Sequence, residues 1–441
     1  AKSLNIILLS SFIIILASFS YKVYGKNPTN QDIIIFFSAV IILLIYYFIL
    51  AKKSKKNNFW LTSLVLIELI FNGLFLINTN READLYSDFE YKYINSTSKV
   101  NLIKHKDSSF YRVYDKANIQ SGMTYSFNSP QLFSSVYNSR VLKLYNDYLE
   151  QNDGGHQSVS YLTLSTPTLE VLTLLNTNYI LGSTNSLNAL PFGYLIDNNK
   201  TIKLKKDDYY NNINSIYSYL SNQKLNLYKD ISFSSKYHNI SIDDMNIATV
   251  IKGKPLGRIT LTYLSPNNGI LTPLRKDYFD KATIYINDVE LTDNFNITVK
   301  KGDLVKIEYE LQKADKINLN DLTIKLLDDN LLNNVIDNIS ENKLLIEENF
   351  NNLLTGYINV KNSNQKLFLT IPYDEGLVIK DNNKRVEFNE EFNTFVSLNL
   401  SKGEHKIEIS FIPKGLLLGV IITLLTVLLL LTRYIFSLKL H

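Results

Sequence analysis

The chain has 441 residues, 45% of them apolar, with 46 Lys and Arg against 42 Asp and Glu and no cysteine. That length can hold two or three domains, each with its own core, and the lack of cysteine excludes a disulfide framework, which suits a bacterial envelope better than a eukaryotic secretory route. The net charge of +4 gathers near the apolar ends: without Lys2, Lys52, Lys53, Lys55, Lys56, Arg433 and Lys439 the remainder holds 39 basic and 42 acidic residues, which excludes a polybasic surface and with it nucleic acid.

In chain order, residues 1–77 hold three apolar stretches, Leu4 to Val23 (4–23), Ile33 to Leu50 (33–50) and Phe59 to Ile77 (59–77), and a fourth, Gly415 to Leu431, opens a terminal helix over 415–436. Each is close to the ~20 residues that cross a ~30 Å hydrocarbon core. The loop "KKSKKNN" places residues 52–58 in the cytoplasm by the positive-inside rule, which makes 78–413 one long extracytoplasmic segment and sets Trp60 at the inner interface. The first stretch follows no initiator Met and shows no convincing cleavage site. It is therefore expected to lie in the middle of a longer protein.

From 78 to 240 the pattern is that of a mixed α/β subdomain. "SFYRVYDK" reads as a strand. A helix with Phe133, Tyr137, Val141, Leu144 and Tyr148 on one face starts at Ser129-Pro130 or at Asn138 and ends at Gly154-Gly155. Two more helices are predicted, Thr166 to Leu175 and Asn214 to Tyr228. From 241 to 413 the period changes to two. In "VKIEYEL" Val305, Ile307, Tyr309 and Leu311 share a face, and in "HKIEISF" Ile407, Ile409 and Phe411 do. These are half-buried antiparallel strands of one or more β-sandwiches, interrupted by a helix near 330–340. The fold class is thus membrane helices plus an α+β extracytoplasmic region.

No HExxH, P-loop, GxSxG, EF-hand or paired-cysteine motif is present. Glu68, in "LVLIELIFNGLF", has Asn72 one turn further on the same face. A carboxylate near the bilayer centre costs roughly 2.5–3.5 kcal/mol on insertion scales, so this pair either forms a hydrogen bond between helices or faces a wet substrate cavity. Arg112, Asn128, Arg140 and His156 fall within 45 residues and could grip sugar hydroxyls or a phosphate. The alternative for each is ordinary surface polarity.

The blocks "FYRVYDK", "SFNSPQLFSS", "VLTLLNTNYILG", "NALPFGYLID", "LFLTIPYDEGLVIKDNNKRVE" and "LSKGEHKIEISFIPKGLLLG", in this order before a terminal span, resemble the C-terminal part of the YfhO family of bacterial membrane proteins. Three features depart from the family pattern: Gly376-Leu377 stands where a Gly-Trp pair is usual, "DNNK" from Asp381 replaces an Asp-Gly turn, and the region around "LFSSVYN" is shortened. The resemblance implies a polytopic protein similar to C-type glycosyltransferases. Such a protein takes a sugar from a polyprenyl-phosphate donor outside the bacterial cell membrane and passes it to lipoteichoic or wall teichoic acid. It also implies catalytic carboxylates, with a divalent metal, in outer loops upstream of Ala1, so no catalytic residue, metal ligand or cofactor is assigned within this chain. A non-enzymatic glycan- or protein-binding module of the envelope, and a transporter or flippase component, stay open as alternatives.

Overall fold

The computed structural model describes residues 11–13, 30–52, 57–79, 83–107, 109–133, 138–151, 161–164, 167–183, 185–198, 201–273, 282–291, 297–350 and 352–439. They fall into two compact units, 1–95 and 96–441.

In the first unit the runs "IIIFFSAVIILLIYYFIL" and "WLTSLVLIELIFNGLFLI" hold no proline and form the helices Asn30–Ala51 and Asn57–Thr79. They make a hairpin. Its turn is closed by the Asn57 amide, which donates to the carbonyls of Ile49 and Lys52. A further helix, Ala83–Lys106, ends on Lys104, His105 and Lys106, cations at the negative end of the helix dipole. No helix is expected there from sequence, because its apolar residues form no clear stripe.

Of the four expected spans, one is long and apolar enough to cross a bilayer among the described residues: Leu416–Arg433, mean hydropathy 2.5, within the helix Leu416–Lys439. Its apolar side chains are exposed along its length. The helices Asn30–Ala51 and Asn57–Thr79 carry the apolar stretches Phe36–Ala51 and Asn57–Ile70 among the residues described with their side chains. The stretch 4–23 lies outside the described residues apart from 11–13.

The second unit holds antiparallel sheets in face-to-face pairs. In the first pair a five-stranded sheet (Val289–Leu291, Ala282–Ile286, Leu304–Gln312, Leu256–Leu264, Ser234–His238) covers a four-stranded one (Ile297–Val299, Gly269–Pro273, Ile324–Leu327, Tyr228–Asp230). The alternation in "VKIEYEL" explains the packing, since Val305, Ile307, Tyr309 and Leu311 are buried against Leu271, Ile324 and Leu326. The intervening Glu308 and Glu310 meet Thr260 and Arg258 across the sheet.

The second pair joins the sheet Leu345–Phe350, Leu353–Val360, Gly403–Phe411, Leu377–Asp381 and Lys384–Arg385 to the sheet Asn389–Glu391, Phe395–Asn399, Gln365–Pro372 and Gly193–Asp197. The last strand comes from far upstream and pairs as Leu367↔Leu195 and Phe368↔Tyr194. Leu367, Leu369, Val396 and Leu398 face Ile358, Ile379, Ile407 and Ile409, whereas Phe368, Phe395, Tyr194 and Ile196 face a helical layer on the other side. Coverage of both faces explains why "LFLTI" shows no alternation of apolar and exposed polar residues, as in any doubly covered sheet.

That helical layer holds Leu169–Leu174, Tyr209–Ser221 and Asp329–Ser340. Asp328 caps the last of these, its side chain accepting from Leu331 N. The second helix starts five residues before the expected Asn214 and stops well short of Tyr228. Asn222 takes a left-handed φ of 53°, which closes the helix and frees Tyr228 for a strand. The helix expected near residue 130 begins at the second of its two candidate starts: the Asn138 side chain accepts from Arg140 N, and Ser139–Lys143 continues as a π-helical turn, Leu144–Tyr148. Ser129 instead accepts from Gln131 N ahead of the short strand Leu132–Phe133.

Candidate functional site

The second unit carries a cleft between residues 110–132 and 138–145 on one side and the second pair of sheets on the other. Its inner lobe, about 410 Å³, is lined by Arg112, Met123, Asn128, Ser129, Tyr145 and Thr370 among others. An adjoining lobe of about 440 Å³ is more apolar, with Phe192, Leu353, Ile371, Leu377, Ile409 and Phe411. Phe110, Asn128, Asn138 and Pro372 line both lobes. Both volumes fall in the ~300–1,000 Å³ range of small-ligand sites.

The inner lobe is built around Arg112. The strand Arg112–Tyr114 runs parallel to Thr177–Ile180, and Val113 N bonds to Asn128 O at 2.8 Å, which brings two of the sequence candidates to one wall. The guanidinium reaches inward: Nη1 donates to Leu175 O at 2.8 Å and weakly to Thr370 Oγ1 at 3.5 Å, and Nη2 donates to Thr370 O at 2.7 Å. Its carbon lies 5.6 Å from the centre of the Phe110 ring, and Phe110 packs on Phe192 at 4.4 Å. Desolvation pulls the guanidinium down to about 10, with the Tyr145 hydroxyl opposing, so it stays charged at neutral pH. Tyr145 is held in place by donating to Pro130 O at 2.8 Å.

Arg140 lies two residues beyond Asn138 and lines neither lobe. Its guanidinium stacks on Tyr373 at 5.0 Å and its Nε meets Glu390 Oε1 at 2.9 Å. Asn138 donates to Tyr373 O at 2.9 Å. The turn "PYDEG" that follows is pinned by Asp374 Oδ1, which accepts from Gly376 N, and by Ile412 N bonding to Gly376 O at 2.8 Å. A Cβ at Gly376 would lie 2.6 Å from Ile412 O and 2.8 Å from the Phe411 ring, so glycine is required for this close approach. Glu375 pairs with Lys414, two residues before the helix Leu416–Lys439 begins.

The structure thus brings Arg112 and Asn128 to one cleft, while Arg140 lines neither of its lobes. His156 lies outside the described residues. Glu68 belongs to the first unit, where Tyr46 OH donates to its Oε2 at 2.9 Å between the two hairpin helices; Asn72 is on the same helix, its side chain outside the described residues. Phe110, Asn138, Thr370 and Tyr373 have no sequence signal of their own, because their partners lie up to 258 residues away. Asn138 as a helix start is the one hint. Among the described residues no three His, Asp or Glu side chains gather to hold a metal ion.

Comparison with known proteins gives two findings. A family model described as bacterial membrane protein YfhO matches residues 1–423. The uncharacterized protein YfhO of Bacillus subtilis (strain 168) is 25% identical over 69% of this chain and 40% of its own length. The chain therefore spans well under half of that curated relative.

Proposed function

The chain belongs to the YfhO family of bacterial membrane proteins, and on that premise we propose that it forms the outer, acceptor-shaping part of a multi-pass membrane glycosyltransferase. The donor in this reading is a polyprenyl-phosphate sugar, and the acceptor is lipoteichoic or wall teichoic acid. Residues 78–413 face outward, and the catalytic carboxylates and their metal belong to other parts of the full-length protein.

The observation that carries this reading is that Ser410 and Phe411 line the apolar lobe, five residues before the helix that is long enough to cross a bilayer. A donor or acceptor tethered to lipid can reach only groups near the membrane surface, and the closeness of the lobe to that helix along the chain supports such a position. Two features suit a glycan. The Phe110–Phe192 pair offers an aromatic wall, and Asn128 offers a hydrogen-bonding amide shared by both lobes. Holding the acceptor there would lower the barrier through proximity and orientation, without this part supplying acid or base.

The test is genetic and chemical together. In a strain deleted for the full-length gene, sugar bound to purified teichoic acid should fall and return with the wild-type gene. The double variant Phe110→Ala/Asn128→Ala, at equal membrane level, should restore about a tenth or less, as expected for lost positioning. Unchanged sugar in the deletion strain would overturn the transferase reading in favour of a non-enzymatic binding module.

A further inference from the structure

We propose that the Arg112 lobe is a binding site for an oxyanion, a phosphate-ester or carboxylate group carried by a ligand in the cleft. Arg112 places a full positive charge, half-buried, on the wall of the inner lobe, and among the described residues no carboxylate pairs with it. A charge partly removed from water without a counter-charge carries a desolvation cost, which an anion bound in the lobe would offset. Its internal partners are two carbonyls, one hydroxyl and the face of Phe110. Those bonds use three of the five guanidinium N–H groups.

The remaining hydrogen-bonding capacity around it consists mainly of donors. Ser129 Oγ accepts from Gln131 N and keeps its own proton to give. The Asn128 amide has only a 3.4 Å contact with Tyr111 O. By contrast, Tyr145 and Thr394 already donate to carbonyls, as Asn138 does. A positive group beside uncommitted donors, in a lobe of about 410 Å³, is complementary to an oxyanion and ill suited to a cation or a neutral apolar group. The adjoining apolar lobe would then take the rest of the ligand.

This inference rests on the cleft being a ligand site and not on sugar transfer. If anion binding is intact and sugar transfer absent, only the transferase reading fails.

The experiment uses the whole chain in detergent. Inorganic phosphate, glycerol phosphate and acetate are titrated separately against chloride at matched ionic strength, and the thermal midpoint is followed. Ligand binding to the folded state raises that midpoint in a saturable way. A saturable rise with phosphate or acetate is expected, and whichever anion binds tighter identifies the phosphate or the carboxylate source; glycerol phosphate binding above inorganic phosphate identifies an ester. Asn128→Asp places a carboxylate in the lobe and should weaken binding by about tenfold or more through competition for Arg112. Arg112→Gln should abolish it, and Asn128→Asp keeps the test decisive should that variant fail to fold. No saturable response from any of the three anions, or equal affinity in wild type and Asn128→Asp, would overturn the proposal.

Discussion

Nη2 of Arg112 donates a 2.7 Å hydrogen bond to the backbone carbonyl of Thr370, 258 residues further along the chain. With Nη1 on Leu175 O, one planar fork joins the helical layer to the doubly covered sheet. A lysine ammonium cannot make both bonds in one plane. Arg112→Lys should therefore lower unfolding stability by about 1.5–3 kcal/mol, the range for hydrogen bonds to a charged group, measured by denaturant titration in detergent. A wild-type midpoint would mean that the fork adds nothing to stability.

Glu170 is fully buried, with Tyr209 and Tyr228 both donating to Oε1 and Oε2 left without a partner. Burial raises its pKa, and the hydrogen bonds from Tyr209, Tyr228 and Thr168 oppose that rise. The native state therefore keeps this proton to higher pH than the unfolded chain, whose carboxyl titrates near ~4.3. The stabilising contribution of the protonated form is complete below the unfolded value and is lost as pH rises through the native one. Glu170→Gln should flatten that slope, so the variant gains on wild type between pH 4.5 and pH 8 (about the unfolded value and well above it). An equal difference at both pH values would show that Glu170 does not change its charge there.

Gly376 should tolerate no side chain, because a Cβ would meet Ile412 O at 2.6 Å. Gly376→Ala is expected to cost about 1–3 kcal/mol, as overpacking does, and to disturb the apolar lobe through Asp374, which lines it and accepts from Gly376 N. Gly419, in the terminal helix, has nothing within 4 Å of its Cβ position. Gly419→Ala should be neutral or slightly stabilising. Circular dichroism melts of the two variants, compared with wild type, check both.

In the helical hairpin the Tyr46–Glu68 bond of 2.9 Å needs an acceptor at residue 68, and an amide oxygen serves as well as a carboxylate. Glu68→Gln should keep expression and detergent stability near wild type, whereas Glu68→Leu strands the Tyr46 hydroxyl and should lower the melting temperature. Equal behaviour of both variants would remove this bond from the list of what holds the hairpin.

Local pattern accounts for much of the fold. Alternation in Val305–Leu311 and in Ile407–Ile409 marks strands because one face of each is solvated. The run Leu367–Ile371 carries no such mark because its sheet is covered on both sides, and the pairing of Gly193–Asp197 with Gln365–Leu369 leaves no trace in either segment. Helix ends shift for physical reasons as well: the apolar spacing from Asn214 continues past Ser221, and only the left-handed Asn222 shows where it stops. Arg112 and Asn128 are legible as candidates because they are close in sequence and polar. Their shared cavity is not legible, since its other walls come from Thr370, Pro372 and Phe395.

The two methionines of the chain allow a matched comparison: Met123 lines the cleft and is 67% exposed, while Met245 lies by the first pair of sheets and is 69% exposed. The decisive measurement replaces each in turn by a photo-crosslinking phenylalanine analogue in the full-length protein, in cells fed a radiolabelled sugar. Illumination should attach labelled, lipid-linked or polymeric glycan at position 123 and little or none at position 245. Equal labelling at both positions, or none at 123 in cells that display both variants at wild-type level, would contradict a membrane-proximal glycan cleft.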